Sequence, residues 1–362
     1  MTTIPGFYSL KIKKIHRETE QAVTLFFDVP EIIKDKFVYK AGQFLTIEVV
    51  INNESVRRSY SLCSAPSIDE DLAVTVKEVE RGKMSTYINR ELKEGDFLNV
   101  MPPNGKFVVE PNQESSKAYV LFGGGSGITP LMGISKTVLS KEPKSKIFLI
   151  YANQNPNTVI FKSALDELAK QFKDKFKIFY SYDKAPLMWF GLKGFLTESS
   201  VVDILKYKIA GHYTSAHYYI CGPTPMMDVV MNGLASAGIE PARIHSEYFG
   251  STTKHDAKVL ESTAEGKGGF SGKAKVKISL YGKTTEIEVK ENQTILDAAI
   301  SAGLQPPYSC TVGVCTTCRA KVLKGHVEMM EREGLSDSEI DEGYVLTCQS
   351  LPRASEIEIV YE

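Results

Sequence analysis

The sequence predicts a multidomain protein: an antiparallel β-barrel or sandwich, then an α/β domain on a parallel sheet, then a small third domain holding a cysteine cluster. Three observations predict this. Up to about residue 110, short apolar runs are separated by turn residues. From about 117 to 250, strand patterns alternate with helical ones. After a stretch rich in Gly, Ser, Thr and Lys, strand patterns begin again and lead into three of the chain's six cysteines within nine residues.

Composition agrees with a folded chain. Hydrophobic residues make up 43% and charged residues 24%, and the net charge of −1 gives no overall sign of nucleic-acid binding. No apolar run approaches the ~18 residues that span a bilayer. The start, "MTTIPGFYSLKIKKI", lacks the basic and apolar regions of a secretory signal, so a cytoplasmic, reducing compartment is expected. There, clustered cysteines point to metal or redox chemistry more than to disulfides.

In the first segment, residues 1–112, the strands read as "YSLKIKKI", "AVTLFFDV", "GQFLTIEVV", "RRSYSLCSAP", "LAVTVKEVE" and "DFLNVMPP", with one helix, "MSTYINREL". In the second, 113–250, strand "KAYVLFG" leads through glycines into helix "TPLMGISKTVLS". The strands "KIFLIYAN", "KIFYSYD" and "AHYYICG" alternate with the helices "FKSALDELAKQF" and "TPMMDVVMNGLASAG". Residues 251–272 read as a linker. Residues 273–362 open with strands "KAKVKISLYG" and "TTEIEVK" and a helix, "TILDAAISAG", whose Thr294 and Asp297 have capping spacing. There is no internal repeat, and the six histidines form no ligand pattern.

Cys310, Cys315 and Cys318 are spaced C-x4-C-x2-C, and 29 residues separate Cys318 from Cys348. This is the plant-type [2Fe–2S] ligand spacing. A two-iron cluster needs two thiolates at each end, so one short loop must wrap much of it. The small residues "TVGV" let the backbone approach the sulfurs. A structural zinc site draws on paired C-x2-4-C elements, and only Cys315 and Cys318 make one; zinc and inert thiols stand as the alternatives.

"LFGGGSGITP" follows a strand and opens a helix. Gly125 and Gly127 allow close backbone approach there, and a helix N-terminus favours an anion. The third glycine of the dinucleotide fingerprint is missing, with Pro130 nearby. A second strand end, "YYICGPTPMM", carries Cys221, Gly222 and Pro223. Parallel sheets bind ligands at such carboxyl ends.

With "RSYS" (58–61) and "GKMST" (82–86) these motifs stand in the order found in the ferredoxin–NADP reductase superfamily, which the chain resembles. The last ~90 residues resemble plant-type ferredoxins, which implies a β-grasp fold. The combination is similar to reductase components of multicomponent oxygenases, the phenylacetyl-CoA epoxidase group among them. The resemblance implies that NAD(P)H gives a hydride to FAD and that single electrons then leave through the cluster to an acceptor protein. It also implies site roles. Arg58 would pair with the FAD pyrophosphate, Tyr60 would lie against the flavin or ribityl chain, and Ser61 would approach N5. Gly82, Lys83, Met84, Ser85 and Thr86 would hold phosphate oxygens. Gly125, Gly127 and Thr129 would face the nicotinamide nucleotide's pyrophosphate, with Lys77 a further cofactor contact. Cys221, with Gly222 and Pro223, would lie near the nicotinamide. Glu247 would balance proton and charge, and Phe249 would shield the flavin. The implied partner is an oxygenase of the phenylacetyl-CoA epoxidase type, with a desaturase, a ring-hydroxylating oxygenase or a redox-stress protein as the alternative electron acceptors. A metal-binding or sensor protein on the same fold is the non-enzymatic alternative. The loops carrying Gln154, Tyr182 and Asp183 hold no arginine, which predicts NADH over NADPH. Residues 274–362 have 9 Lys+Arg and 14 Asp+Glu, net −5, and residues 1–273 have 34 and 30, net +4, a balance that would draw the two parts together.

Overall fold

The computed structural model describes residues 4–66, 68–249, 272–332 and 334–361; the expected linker falls outside them apart from Gly272. The chain forms two compact units, the larger over Tyr8–Phe249, the smaller from the C-terminal part together with the short stretch before Tyr8.

The larger unit begins with six antiparallel strands: β1 (Tyr8–Thr19), β2 (Ala22–Asp28), β3 (Phe44–Ile51), β4 (Glu54–Ser61), β5 (Leu72–Lys77) and β6 (Phe97–Val100). Their order is β4-β3-β6-β1-β2-β5, and a bridge between Leu62 and Val74 brings the two edges together as a barrel. Asn52 and Asn53 both take positive φ, 50° and 62°, which is the turn a two-residue hairpin needs between β3 and β4. Inward positions carry Leu10, Ile12, Val23, Leu25, Leu45, Ile47, Val74 and Val76. Each such side chain contributes roughly 1.5–3 kcal/mol when buried. Helix α1 (Lys83–Arg90) sends Met84 and Ile88 into this core.

A parallel sheet follows: β7 (Ala118–Gly124), α2 (Ile128–Lys141), β8 (Lys146–Asn153), α3 (Lys162–Gln171), β9 (Phe176–Tyr182), β10 (Leu192–Lys193), α4 (Glu198–Asp203), β11 (His217–Gly222), α5 (Thr224–Ser236) and β12 (Ile244–Tyr248). All seven residues of β7 are buried, as expected of a strand covered on both faces. Tyr119 and Leu121 pack into one apolar cluster, Val120 and Phe122 into the other. The order β10-β9-β8-β7-β11-β12 makes the chain reverse its direction of growth between β7 and β11. That switch point opens a crevice at the carboxyl ends of those two strands. The segment leaving the barrel is tied down by Glu142, which is 0% exposed and accepts from Asn112 N, the Tyr119 hydroxyl and Ser145 Oγ.

The smaller unit holds β13 (Lys273–Leu280), β14 (Lys283–Lys290), α6 (Ile295–Ser301), β15 (Arg319–Lys324), β16 (Val327–Met329), α7 (Asp337–Asp341), β17 (Tyr344–Leu346), β18 (Ser350–Pro352) and β19 (Glu356–Tyr361). Five strands form a mixed sheet in the order β14-β13-β19-β15-β17, and only β13 and β19 run parallel. Ile295, Ala298 and Ala299 of α6 pack on it, giving a β-grasp. Thr294 caps α6 by accepting from Asp297 N at 3.1 Å. No helix of the described residues is long and apolar enough to cross a membrane.

Candidate functional site

The switch point gathers the two glycine-rich strand ends. Cys221 pairs laterally with Gly123 on β7 and with Glu247 on β12, so three residues form one row across the sheet. The turn from β7 into α2 passes so close to β11 that a Cβ on Gly127 would run into the Cys221 carbonyl and come 2.7 Å from Gly222 N. A Cβ on Gly124 would come 2.7 Å from both Pro223 and Met226. Gly125 adopts φ +51°, and the Tyr151 hydroxyl donates to its carbonyl at 2.9 Å. At Gly124 and Gly127 only glycine leaves room, and at Gly125 the positive φ favours it. Thr129 is buried and its hydroxyl donates to Ser126 O at 3.0 Å, so it spends that proton within the turn.

A polar contact joins the barrel to this crevice. Ser61 Oγ donates to Glu247 Oε2 at 3.0 Å across 186 residues of sequence. Glu247 as a residue keeps some exposure, but protein surrounds its carboxyl, and that desolvation pushes it up to about 8 despite the Ser61 bond. Burial, reinforced by Glu247, holds the Cys221 thiol well above its ordinary value. Lys77, held below its ordinary value by burial, lies with its amine 3.6 Å from where a Gly125 Cβ would stand. Phe249 packs half-buried against the adjoining core.

Along β4, Arg58 is exposed and donates to Arg57 O at 2.6 Å, while Tyr60 is half-buried and raised by burial. Arg57, not singled out from the sequence, is buried beside Glu48 at 3.5 Å, so the two adjacent arginines of β4 divide into a structural Arg57 and an exposed Arg58. Gly82 stands at the N-cap of α1 with no side-chain cap. Ser85 Oγ instead accepts from Val79 N at 3.2 Å, and Lys83 pairs with Glu54 at 2.6 Å. Thr86 donates weakly to Glu78 at 3.5 Å, and Met84 is core. The first-turn N–H groups of α1 thus stay available for an anion.

In the smaller unit the four thiols fall into two pairs. Cys310 and Cys315 hydrogen-bond each other through their backbone N–H groups, Cys310 N lying 3.5 Å from Cys315 Sγ and Cys315 N 3.4 Å from Cys310 Sγ, while Cys318 and Cys348 interact electrostatically. Among the described residues no three metal-binding side chains converge as they would round one ion. Two pairs suit a dinuclear cluster, which takes two thiolates per iron. The bond from the Cys315 thiol, and then backbone N–H groups of Val312, Cys315 and Val314, hold Cys310 below its ordinary value despite burial. Those are donors that an anionic cluster would use.

Comparison with known proteins gives the same three parts. Residues 9–109 match the family described as oxidoreductase FAD-binding domain. Residues 121–232 match the oxidoreductase NAD-binding domain, and residues 278–353 match the 2Fe-2S iron-sulfur cluster binding domain. A component of 1,2-phenylacetyl-CoA epoxidase from Escherichia coli (strain K12) is 32% identical over 100% of this chain and 99% of its own. The ferredoxin reductase component of 3-ketosteroid-9-alpha-monooxygenase from Rhodococcus rhodochrous is 32% identical over 97% and 96%. The chain belongs to the family of oxygenase reductase components. The solved structure of phthalate dioxygenase reductase shares the fold, with a TM-score of 0.58, 23% identity and 98% coverage of both chains.

This reductase component is therefore an oxidoreductase that uses FAD, a nicotinamide nucleotide and a [2Fe–2S] cluster. Gly124, Tyr151 and Met226 shape its crevice, yet sequence reasoning did not single them out as site residues. The only available signal was their place at or beside strand ends. Glu247 carries a pH prediction. Its folded value is about 8 against an ordinary 4.5, so the unfolded chain releases this proton first. Its stabilising contribution is full below the ordinary value and falls by up to ~1.4 kcal/mol per pH unit until the folded value. Glu247→Gln will flatten that part of the profile. Urea unfolding of both proteins across this window checks it, and parallel profiles would mean that Glu247 titrates as an ordinary glutamate.

Proposed function

We propose that this reductase draws electrons from NADH through FAD and the [2Fe–2S] cluster to an oxygenase of the phenylacetyl-CoA epoxidase type. The observation that carries the reading is the Ser61–Glu247 bond, which sets the barrel's RSYS strand against the switch point of the parallel sheet. When bound, the three groups supply a two-electron donor, a carrier that converts pairs to single electrons, and a one-electron outlet. The chain's residues then bind and orient. Arg58 pairs with the FAD pyrophosphate, Tyr60 lies along the flavin, and Gly82 to Thr86 hold phosphate oxygens. Ser61 stands at the flavin's reacting edge, with Glu247 behind it holding a proton at neutral pH. Lys77, Gly125, Gly127 and Thr129 cradle the nucleotide, Cys221 to Pro223 border the nicotinamide, and Phe249 covers the flavin. Cys310 and Cys315 serve one iron, Cys318 and Cys348 the other. Domain limits at 1–112, 113–250 and 273–362, joined by 251–272, contain the three family matches. The absence of a disulfide among the described cysteines suits the cytoplasm.

An absorption spectrum with flavin bands and an iron–sulfur shoulder, both bleached by NADH, supports this function. A colourless protein that binds zinc would refute it. Two expectations follow. Arg58→Ala removes charge-assisted bonds worth roughly 1.5–3 kcal/mol, so the protein will purify folded but flavin-poor. Full flavin retention would remove Arg58 from the site. NADH will give the higher kcat/KM, because Asp183 follows β9 where a 2′-phosphate would meet its charge. A preference for NADPH would overturn that assignment.

A further inference from the structure

Asn153 ends β8, and it is 6% exposed with both amide atoms, Oδ1 and Nδ2, lacking a hydrogen-bond partner among the described residues. A buried amide left so costs free energy, and it is kept where a missing group satisfies it. Its position indicates which group. Ala152 pairs with Gly124, so Asn153 stands level with Gly125 in the turn at the switch point. Side chains two apart along a strand share a face, and Asn153 therefore points to the same side as Tyr151, whose hydroxyl holds the Gly125 carbonyl. That hydroxyl is a near neighbour of the amide, but it donates to Gly125 and makes no well-formed bond with either amide atom. On the other flank Tyr182 pairs with Asn153 and is itself buried against Trp189, with ring centroids 4.6 Å apart. The amide is thus walled on both sides, at the carboxyl end of β8 beside the turn at the switch point.

We propose that Asn153 is a binding residue for the adenosine half of the nicotinamide nucleotide, exchanging two hydrogen bonds with a ribose hydroxyl. An orphaned carbonyl oxygen needs a donor and an orphaned amide nitrogen needs an acceptor. A phosphate at neutral pH only accepts, whereas a hydroxyl does both. The carboxyl end of the second strand is also where this sheet topology meets a ribose. The inference rests on the nucleotide-oxidising function proposed above.

The test is Asn153→Leu in the full chain, with NADH as donor, ferricyanide as acceptor and ADP as the competing probe. KM for NADH and the inhibition constant of ADP will both rise about tenfold, equivalent to ~1.4 kcal/mol. kcat will stay within about twofold. The melting temperature without nucleotide will hold or rise, because an apolar side chain of similar size replaces an unsatisfied amide. Unchanged ADP and NADH affinities would overturn the proposal, and a lower melting temperature with unchanged affinities would assign the amide to structure. Should the leucine variant fold poorly, Asn153→Ser, which keeps a polar group too short to reach, will show the same paired loss of affinity. If the unaltered protein fails to oxidise NADH, the function itself falls. If it turns over normally and only the variants show no effect, this inference alone falls.

Discussion

The Cys310→Ser protein will lose its iron–sulfur absorbance, keep its FAD, and reduce ferricyanide with NADH at close to the normal rate. Electron delivery to the oxygenase will fall to background. The asymmetry follows from the fold. Cys310 is half of one thiol pair, and oxygen is a poorer iron–sulfur ligand than a thiolate, so removing it leaves one iron with a single soft ligand. The flavin and nucleotide residues lie in a separate compact unit, Tyr8–Phe249, with its own cores. Both rates measured in one preparation decide the matter. Normal delivery by a protein without a cluster would mean that electrons leave from the flavin, and the outlet assigned to Cys310, Cys315, Cys318 and Cys348 would be wrong.

Gly127→Ala will do the opposite, sparing the cluster and closing the nucleotide crevice. The added methyl meets the Cys221 carbonyl and the Gly222 nitrogen, which are backbone atoms held in the sheet and cannot swing away. Overpacking of this kind costs about 1–3 kcal/mol, and the turn must back away from β11 to relieve it. A displacement of about 1 Å at a positioning element can cost 100-fold in rate, so NADH-driven ferricyanide reduction will fall by roughly that factor. FAD content will stay near normal, because the barrel residues are untouched. Normal melting and normal KM in this variant would show that the turn does not need its close approach.

Much of this was legible in the sequence because local chemistry and global position agree. Gly125 and Gly127 announce a close backbone approach wherever the strand lies. The spacing of Cys310, Cys315, Cys318 and Cys348 announces a cluster before any pairing is known. Periodicity found the long strands and helices within a few residues. It missed β10, β12, α4, α7 and β15 to β19. Most of these are too brief to show a period, whereas the six residues of β19 do alternate buried with more exposed positions and were simply not picked out. The division of the thiols into two pairs and the Ser61–Glu247 contact are products of tertiary proximity. So is the isolation of the Asn153 amide, since an asparagine at a strand end reads as an ordinary turn residue. The split between Arg57 and Arg58 was hidden for the same reason: adjacent arginines look alike until one is seen buried beside Glu48.

The C-terminal sheet places β19, the latest of its strands in chain order, at its centre, between β13 and β15. The pairing of Lys275 with Glu356 spans most of the unit. On the ribosome this makes completion of the unit a late event. Until residues 356–361 are available, the ladders β14-β13 and β15-β17 lack the strand that joins them into one sheet, and the cysteine loop lies between them in chain order. The barrel and parallel sheet, finished earlier in translation, need not wait. Contacts of such long sequence separation also form slowly. A chain in which β19 has not yet joined the sheet will therefore have its flavin half folded and its thiols still open to solvent, and stable cluster assembly is expected to follow the pairing of β19.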